Sequence, residues 1–239
     1  MASAKMTVAK AVQHINKRGL LLVFPQENRK DPASLWAEFF PRTKMRWEWD
    51  EGGDNRVGEL WFLREQLSLS RKCVYLKWFR GRATLIANDV FPAMLRLANP
   101  GFPHATGLSF AAREILDLLD EDSPLSTKQL KKLTGLQGKA SESTYTRALK
   151  ELWDRCLIVA FGEVDEGAFP SLAVGSTHVI FEDLWRQAGE LSIEEAKAIV
   201  DSRLEGAFAK YWATLSKKLA ERVVDSPAED SIEDWWTTK

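Results

Sequence analysis

Only two of the 239 residues are cysteine, Cys73 and Cys156, and they lie too far apart to form a Cys-x-x-Cys pair. Zinc ribbons, redox pairs and disulfide scaffolds are thereby excluded, and two half-buried thiols in a reducing compartment are expected. Histidine is almost as scarce: His14, His104 and His178 are scattered, and no His-Glu-x-x-His occurs. A Gly-x-Ser-x-Gly elbow and a phosphate-binding glycine loop are missing too, so metal-assisted and familiar hydrolase chemistries have no support in the sequence. No cofactor and no metal are expected. The first ten residues hold no apolar core segment, and no run reaches the roughly 18 apolar residues of a membrane helix. These absences predict a soluble, cytoplasmic protein with no membrane partner.

Charge of one sign is also lacking overall, with 33 Lys and Arg against 34 Asp and Glu. Its distribution is uneven. Residues 1–100 hold 17 basic and 10 acidic side chains, 101–160 hold 8 of each, and 161–239 hold 8 basic and 16 acidic. A basic front half is compatible with nucleic-acid contact, and equally with neutralisation by the acidic rear half. Hydrophobic residues at 45% and charged residues at 28% argue for folded domains with their own cores.

Periodicity supplies the elements. Thr7 caps a helix carrying Val8, Ala11, Val12 and Ile15 at steps of three and four, stopped at Arg18-Gly19. Leu20 to Phe24 reads as a buried strand or a helix start, and Ser34 to Phe40 as a short helix closed by Pro41. A helix follows from Arg56 to Leu69, with Val57, Leu60, Trp61 and Leu67 inward. Cys73 to Phe79 and Arg82 to Ile86 are β-prone runs around Arg80-Gly81, a hairpin signature. A helix with Phe91, Met94 and Leu95 ends at Asn99-Pro100-Gly101, and Pro100 to Gly107 reads as a linker. Three more helices are expected, opened by Ser109, Ser126 and Ser141. Strands at Leu157–Phe161 and His178–Phe181 would follow, joined by a long loop from Gly162 to Ser176. From Ser192 a capping box with Glu195 opens one helix to about Val224. Its apolar stripe, from Ile193 through Leu219, must pack on the rest of the chain or on a second copy. No internal repeat is visible by spacing.

Helices followed by a hairpin, twice, predict a mainly α protein with small β hairpins (α+β): tandem winged-helix domains plus a long C-terminal helix. The expected divisions are 1–100, 101–185 and 186–239. In the second domain the helix from about Ser141 to Arg155 turns Tyr145, Ala148, Leu149 and Leu152 to one side. The other side carries Ser143, Thr146, Arg147 and Lys150, with Lys139 and Ser141 at its start, a face suited to a DNA groove and its phosphates. A solvated face of a protein-binding module is the plain alternative. Lys77, Arg80 and Arg82, with Arg71 and Lys72 at the base, would surround a projecting hairpin turn able to reach phosphates; charge protecting an edge strand explains them as well. Of ten tryptophans, Trp47, Trp49 and Trp78 lie among basic residues where an indole can stack on an unpaired base. Trp61, Trp153 and Trp185 fit core positions.

The stretch Leu108-Ser109-Phe110-Ala111-Ala112-Arg113-Glu114-Ile115-Leu116, through Ala148-Leu149-Lys150-Glu151-Leu152 to Leu157-Ile158-Val159, resembles the central winged helix of the AlkZ and YcaQ family. Val74-Tyr75-Leu76-Lys77-Trp78-Phe79-Arg80-Gly81-Arg82-Ala83-Thr84 resembles it too, and the likeness extends over about residues 7–220. The resemblance implies kinship with DNA glycosylases that remove alkylated purines and unhook crosslinks. Their catalytic element, Gln-apolar-Gln or Gln-apolar-Asp shortly after the first helix, would correspond here to Gly19-Leu20-Leu21-Leu22-Val23-Phe24, which has no polar side chain. Gln26 and Asn28 are the nearest substitutes. Three readings therefore stand: a non-catalytic protein binding duplex or damaged DNA, a divergent glycosylase using Gln26 or Asn28, and an interaction module dimerising through residues 192–224.

Overall fold

A computed structural model of the chain describes residues 5–47, 52–164 and 170–224, with side chains described as far as residue 221. The front half runs α1 (Val8–Arg18), β1 (Leu20–Leu22), α2 (Leu35–Phe39), α3 (Arg56–Leu69), β2 (Val74–Phe79) and β3 (Arg82–Ile86), followed by α4 (Phe91–Ala98). The second half opens with α5 (Phe110–Glu121), β4 (Leu125–Ser126), α6 (Thr127–Leu133), α7 (Glu142–Asp154), β5 (Ile158–Val164) and β6 (Ser171–Ser176). Each set reads helix, strand, helix, helix, strand, strand, and each forms an antiparallel sheet with its third strand central, β1-β3-β2 and β4-β6-β5. The chain thus repeats a topology without repeating a sequence.

Local chemistry accounts for most boundaries. Thr7 Oγ1 accepts from the Lys10 N–H at 3.3 Å, and the Gly19 N–H closes α1 on the Ile15 carbonyl at 2.8 Å. Arg80 and Gly81 both adopt positive φ, 51° and 75°, which joins β2 to β3 through two residues with the twist a hairpin requires. The joint between the repeats, expected as a loose linker, is tied down. Asn99 Nδ2 donates to the Leu95 and Arg155 carbonyls at 2.8 and 2.9 Å, while Arg155 Nη1 donates to the Thr106 carbonyl at 2.8 Å.

Two expectations are corrected. The strand expected at His178–Phe181 lies earlier, as β6 within the supposed loop, and Thr177–Ile180 forms a helical turn, α8. Thr177 decides this by donating its hydroxyl to the Cys156 carbonyl at 2.7 Å, which turns the chain where β6 ends. Gly175 then lets α8 fold back, because a Cβ there would stand 2.5 Å from Ile180 Cγ1. Secondly, the single helix expected over 192–224 is two, α10 (Ile193–Arg203) and α11 (Gly206–Val224), preceded by α9 (Glu182–Glu190). The break is a tertiary cap: Asp31 accepts from the Ala207 N–H at 2.9 and 3.0 Å. Only glycine permits that approach, since a Cβ on Gly206 would lie 2.5 Å from Asp31 Oδ1.

Most of the apolar stripe of α10 and α11 is covered by its own chain, although Ile193, its first member, is 40% exposed. Ala196, Val200, Leu204, Phe208, Leu215 and Leu219 are buried. Helices α9, α10 and α11 all pack on α4, and Arg203 adds an ion pair to Asp89 at 2.5 Å. The reason for expecting a dimer through residues 192–224 is thereby removed.

The hairpin β2–β3 sits inside this arrangement. Trp78 is 0% and Phe79 1% exposed, held by Phe208, Tyr211 and Trp212 at ring separations of 5.0 to 6.5 Å. Truncating a fully buried aromatic removes its transfer free energy and leaves a cavity. Phe79→Ala is expected to lower unfolding free energy by about 3–5 kcal/mol in urea denaturation. Both thiols are buried, and burial pushes that of Cys73 up to about 12. A neutral maleimide should therefore label neither cysteine in the native protein and both after unfolding, as read by mass spectrometry.

Candidate nucleic-acid interface

Helix α7 divides as its periodicity predicts. Tyr145, Ala148 and Leu152 are buried, and the Tyr145 hydroxyl donates to the Thr127 carbonyl at 2.8 Å, which fixes α7 against the start of α6. Ser143, Thr146, Arg147 and Lys150 are exposed on the opposite side, and Lys139 is exposed before the helix. Ser141 is half-buried and makes no side-chain cap, so first-turn amides of α7 are not covered by it. The cations differ in freedom. Lys150 is bound to Asp154, which also accepts from the Tyr211 hydroxyl at 3.2 Å. Arg147 donates to the Ser143 carbonyl at 3.2 Å and forms no ion pair among the described residues. Glu142, which would repel phosphate at the helix start, is neutralised by Lys131 at 2.6 Å.

The hairpin does not project. Its tip lies against α11, so the five cations expected around one turn are spread out. Arg80 and Arg82 remain exposed at the tip, and Arg71 and Lys72 at the base. Lys77 faces elsewhere, into a groove between the two repeats. The base-stacking role considered for Trp78 is excluded by its burial beneath α11. Trp49 lies outside the described residues, and Trp47 is half-buried with its ring 5.3 Å from that of Phe24.

The groove holds about 610 Å³ and is lined by Phe24, Trp61, Arg64, Tyr75, Lys77 and Glu163, among others. At its floor Arg64, only 4% exposed, bonds Glu163 of β5 and donates to the Tyr75 hydroxyl at 3.2 Å. Beside it the Gly162 N–H donates to Ser68 Oγ of α3 at 3.0 Å. Trp61, expected in the core, is 45% exposed at the groove wall, its ring 4.0 Å from the Arg64 guanidinium carbon. The periodicity of α3 could not distinguish these placements, because a face turned toward a groove and a face turned toward a core are both apolar.

Asn28 is committed elsewhere. Its Nδ2 donates to the Met45 carbonyl at 3.0 Å and its Oδ1 accepts from the Met45 N–H at 2.6 Å. That brace leaves the amide bracing a loop rather than presented for chemistry. Gln26 is half-buried, and residues Leu20 to Val23, where the resemblance would put a catalytic motif, are buried and apolar. Among the described residues no group of three or more His, Cys, Asp or Glu could hold a metal ion, and no helix is long and apolar enough to cross a membrane.

The match to a family model covers residues 6–221, both repeats and the three C-terminal helices up to α11, under the description AlkZ related. This chain belongs to the AlkZ-related family. That membership relates it to the DNA glycosylases its sequence resembles. The chain matches no curated protein and no solved structure.

Desolvation first, and the charge of Arg64 second, hold the Lys77 ammonium below the usual lysine range. Its charged form is therefore disfavoured by folding, and that penalty is complete below the folded pKa and fades as pH rises through it. Because Lys77 stays exposed to solvent at the groove, Lys77→Met is expected to raise the urea midpoint at pH 7 only slightly, with the gain shrinking as pH approaches the ordinary lysine value.

Proposed function

We propose that this member of the AlkZ-related family is a duplex-DNA-binding protein whose two repeats are winged helices. Helix α7 of the second repeat would lie in the groove of the duplex. One observation carries the reading: α7 turns a buried apolar side to its own core and an exposed side with Ser143, Thr146 and Arg147 to solvent, beside Lys139, which forms no ion pair among the described residues. A helix so placed can set side chains against base edges while its first-turn amides and cations contact phosphate. The shared element order and the sheet order with a central third strand support the winged-helix assignment. Lys150, because of its bond to Asp154, contributes less than its exposure suggests.

Binding without base removal is the form of the reading that the residues favour. Hydrolysis of an N-glycosidic bond needs a polar group to orient water, and the strand after α1 offers only buried Leu20, Leu21, Leu22 and Val23. Asn28 spends both amide atoms on Met45.

The test is a titration of a fluorescent duplex at two salt concentrations. Lys139→Glu with Arg147→Glu should lower affinity about tenfold or more and reduce the slope of log K on log salt by about two. Unchanged affinity would remove α7 as the docking face. Incubation with an alkylated duplex should leave no abasic product, and its appearance would restore the glycosylase reading.

A further inference from the structure

Residues 41–47, which follow α2, are tied to the rest of the chain at two points. Asn28 braces them through both Met45 backbone groups, and Trp36 Nε1 donates to the Thr43 carbonyl at 3.0 Å. What they present is cationic: Arg42, Lys44 and Arg46 are exposed. They line an open cavity of about 600 Å³ and form no ion pair among the described residues.

Next to this stretch lies a row of aromatic rings. Trp47 meets Phe24 at 5.3 Å, and Phe24 stacks on Trp61 at 6.3 Å with 23° between their planes. Phe24 and Trp61 also line the groove between the repeats, which continues to Tyr75 and Lys77. Exposed cations beside aromatic rings at the mouth of a cleft, with Trp61 exposed and Phe24 and Trp47 half-buried, are the two components by which unpaired nucleotides are held. A duplex does not use such a row, since its base faces are already stacked on one another.

We infer that the Trp47–Phe24–Trp61 row, with Arg42, Lys44 and Arg46 beside it, binds a short unpaired stretch of single-stranded DNA and leads it into the groove at Lys77. This surface is separate from the α7 face, and the inference does not depend on that face docking a duplex. The cations contact phosphates without regard to sequence, and the rings supply an attraction that only bases can answer. A strand with bases must therefore bind more tightly than a strand of equal charge without them.

Fluorescence anisotropy with a labelled oligothymidylate of twelve nucleotides, an abasic strand of the same length and a blunt duplex tests this on the full chain. Oligothymidylate should bind about tenfold more tightly than the abasic strand, the factor expected from a stacking contribution of about 1.4 kcal/mol. Trp61→Ala should remove most of that advantage and Trp61→Phe should keep it. Because Trp61 is 45% exposed, its truncation leaves no core cavity. Arg42→Glu with Lys44→Glu should weaken both strands alike, whereas Lys139→Glu with Arg147→Glu should weaken only the duplex. Equal affinity for the two single strands, an advantage that survives Trp61→Ala, or indifference to the Arg42 and Lys44 changes would each overturn the inference. Loss of duplex binding alone bears on α7 and not on this row.

Discussion

The guanidinium of Arg64 is the buried charge at the contact between the two repeats of this chain. It rises from α3 in the first repeat, bonds Glu163 of β5 in the second, and reaches the Tyr75 hydroxyl of β2 on the way. With 4% of Arg64 exposed, the charge is withdrawn from water and must be answered by a partner. An ion pair of this kind adds little net stability over a well-packed apolar contact, but it tolerates only one geometry. Its effect is orientation: β2 lies against β5 at a fixed distance, and the space left above the pair is the groove bounded by Trp61 and Lys77.

The second constraint is the aromatic cluster around the hairpin. Trp78 and Phe79 would be exposed on a free hairpin, and burying two such rings is worth several kcal/mol. Helix α11 provides the cover through Phe208, Tyr211 and Trp212. It can do so only because α10 ends at Arg203 and Asp31 caps the new helix at Ala207. A continuous helix would have carried these rings away from the hairpin. The hairpin of the first repeat is thus a core element rather than a projecting probe. Exposed cations then stand beside α7, on the stretch braced by Asn28, and at the tip and base of the hairpin.

Family membership and geometry bear on different parts of the functional reading. The family relates the chain to DNA glycosylases over nearly its whole described length. The residues of the first strand, apolar and buried, give that relation no obvious hydrolytic group in the place where the resemblance would seek one.

Much of the fold was legible in the sequence: the helix caps at Thr7 and Ser192, the two-residue turn at Arg80-Gly81 and the division of α7 into an apolar and a polar side. Each of these is fixed by groups within a few residues of one another, so local periodicity and turn chemistry suffice. The sequence by itself also determined which side chains must leave water, including the stripe from Ala196 to Leu219. Only the tertiary structure decided what covers them: the chain's own hairpin and α4 rather than a second copy, Trp78 inside and Trp61 outside. It also decided the break at Gly206, the strand at Ser171–Ser176 and the commitment of Asn28 to Met45. These depend on contacts between residues 17 to 176 positions apart. A hydrophobic pattern records the need for a partner but carries no information about which partner meets it.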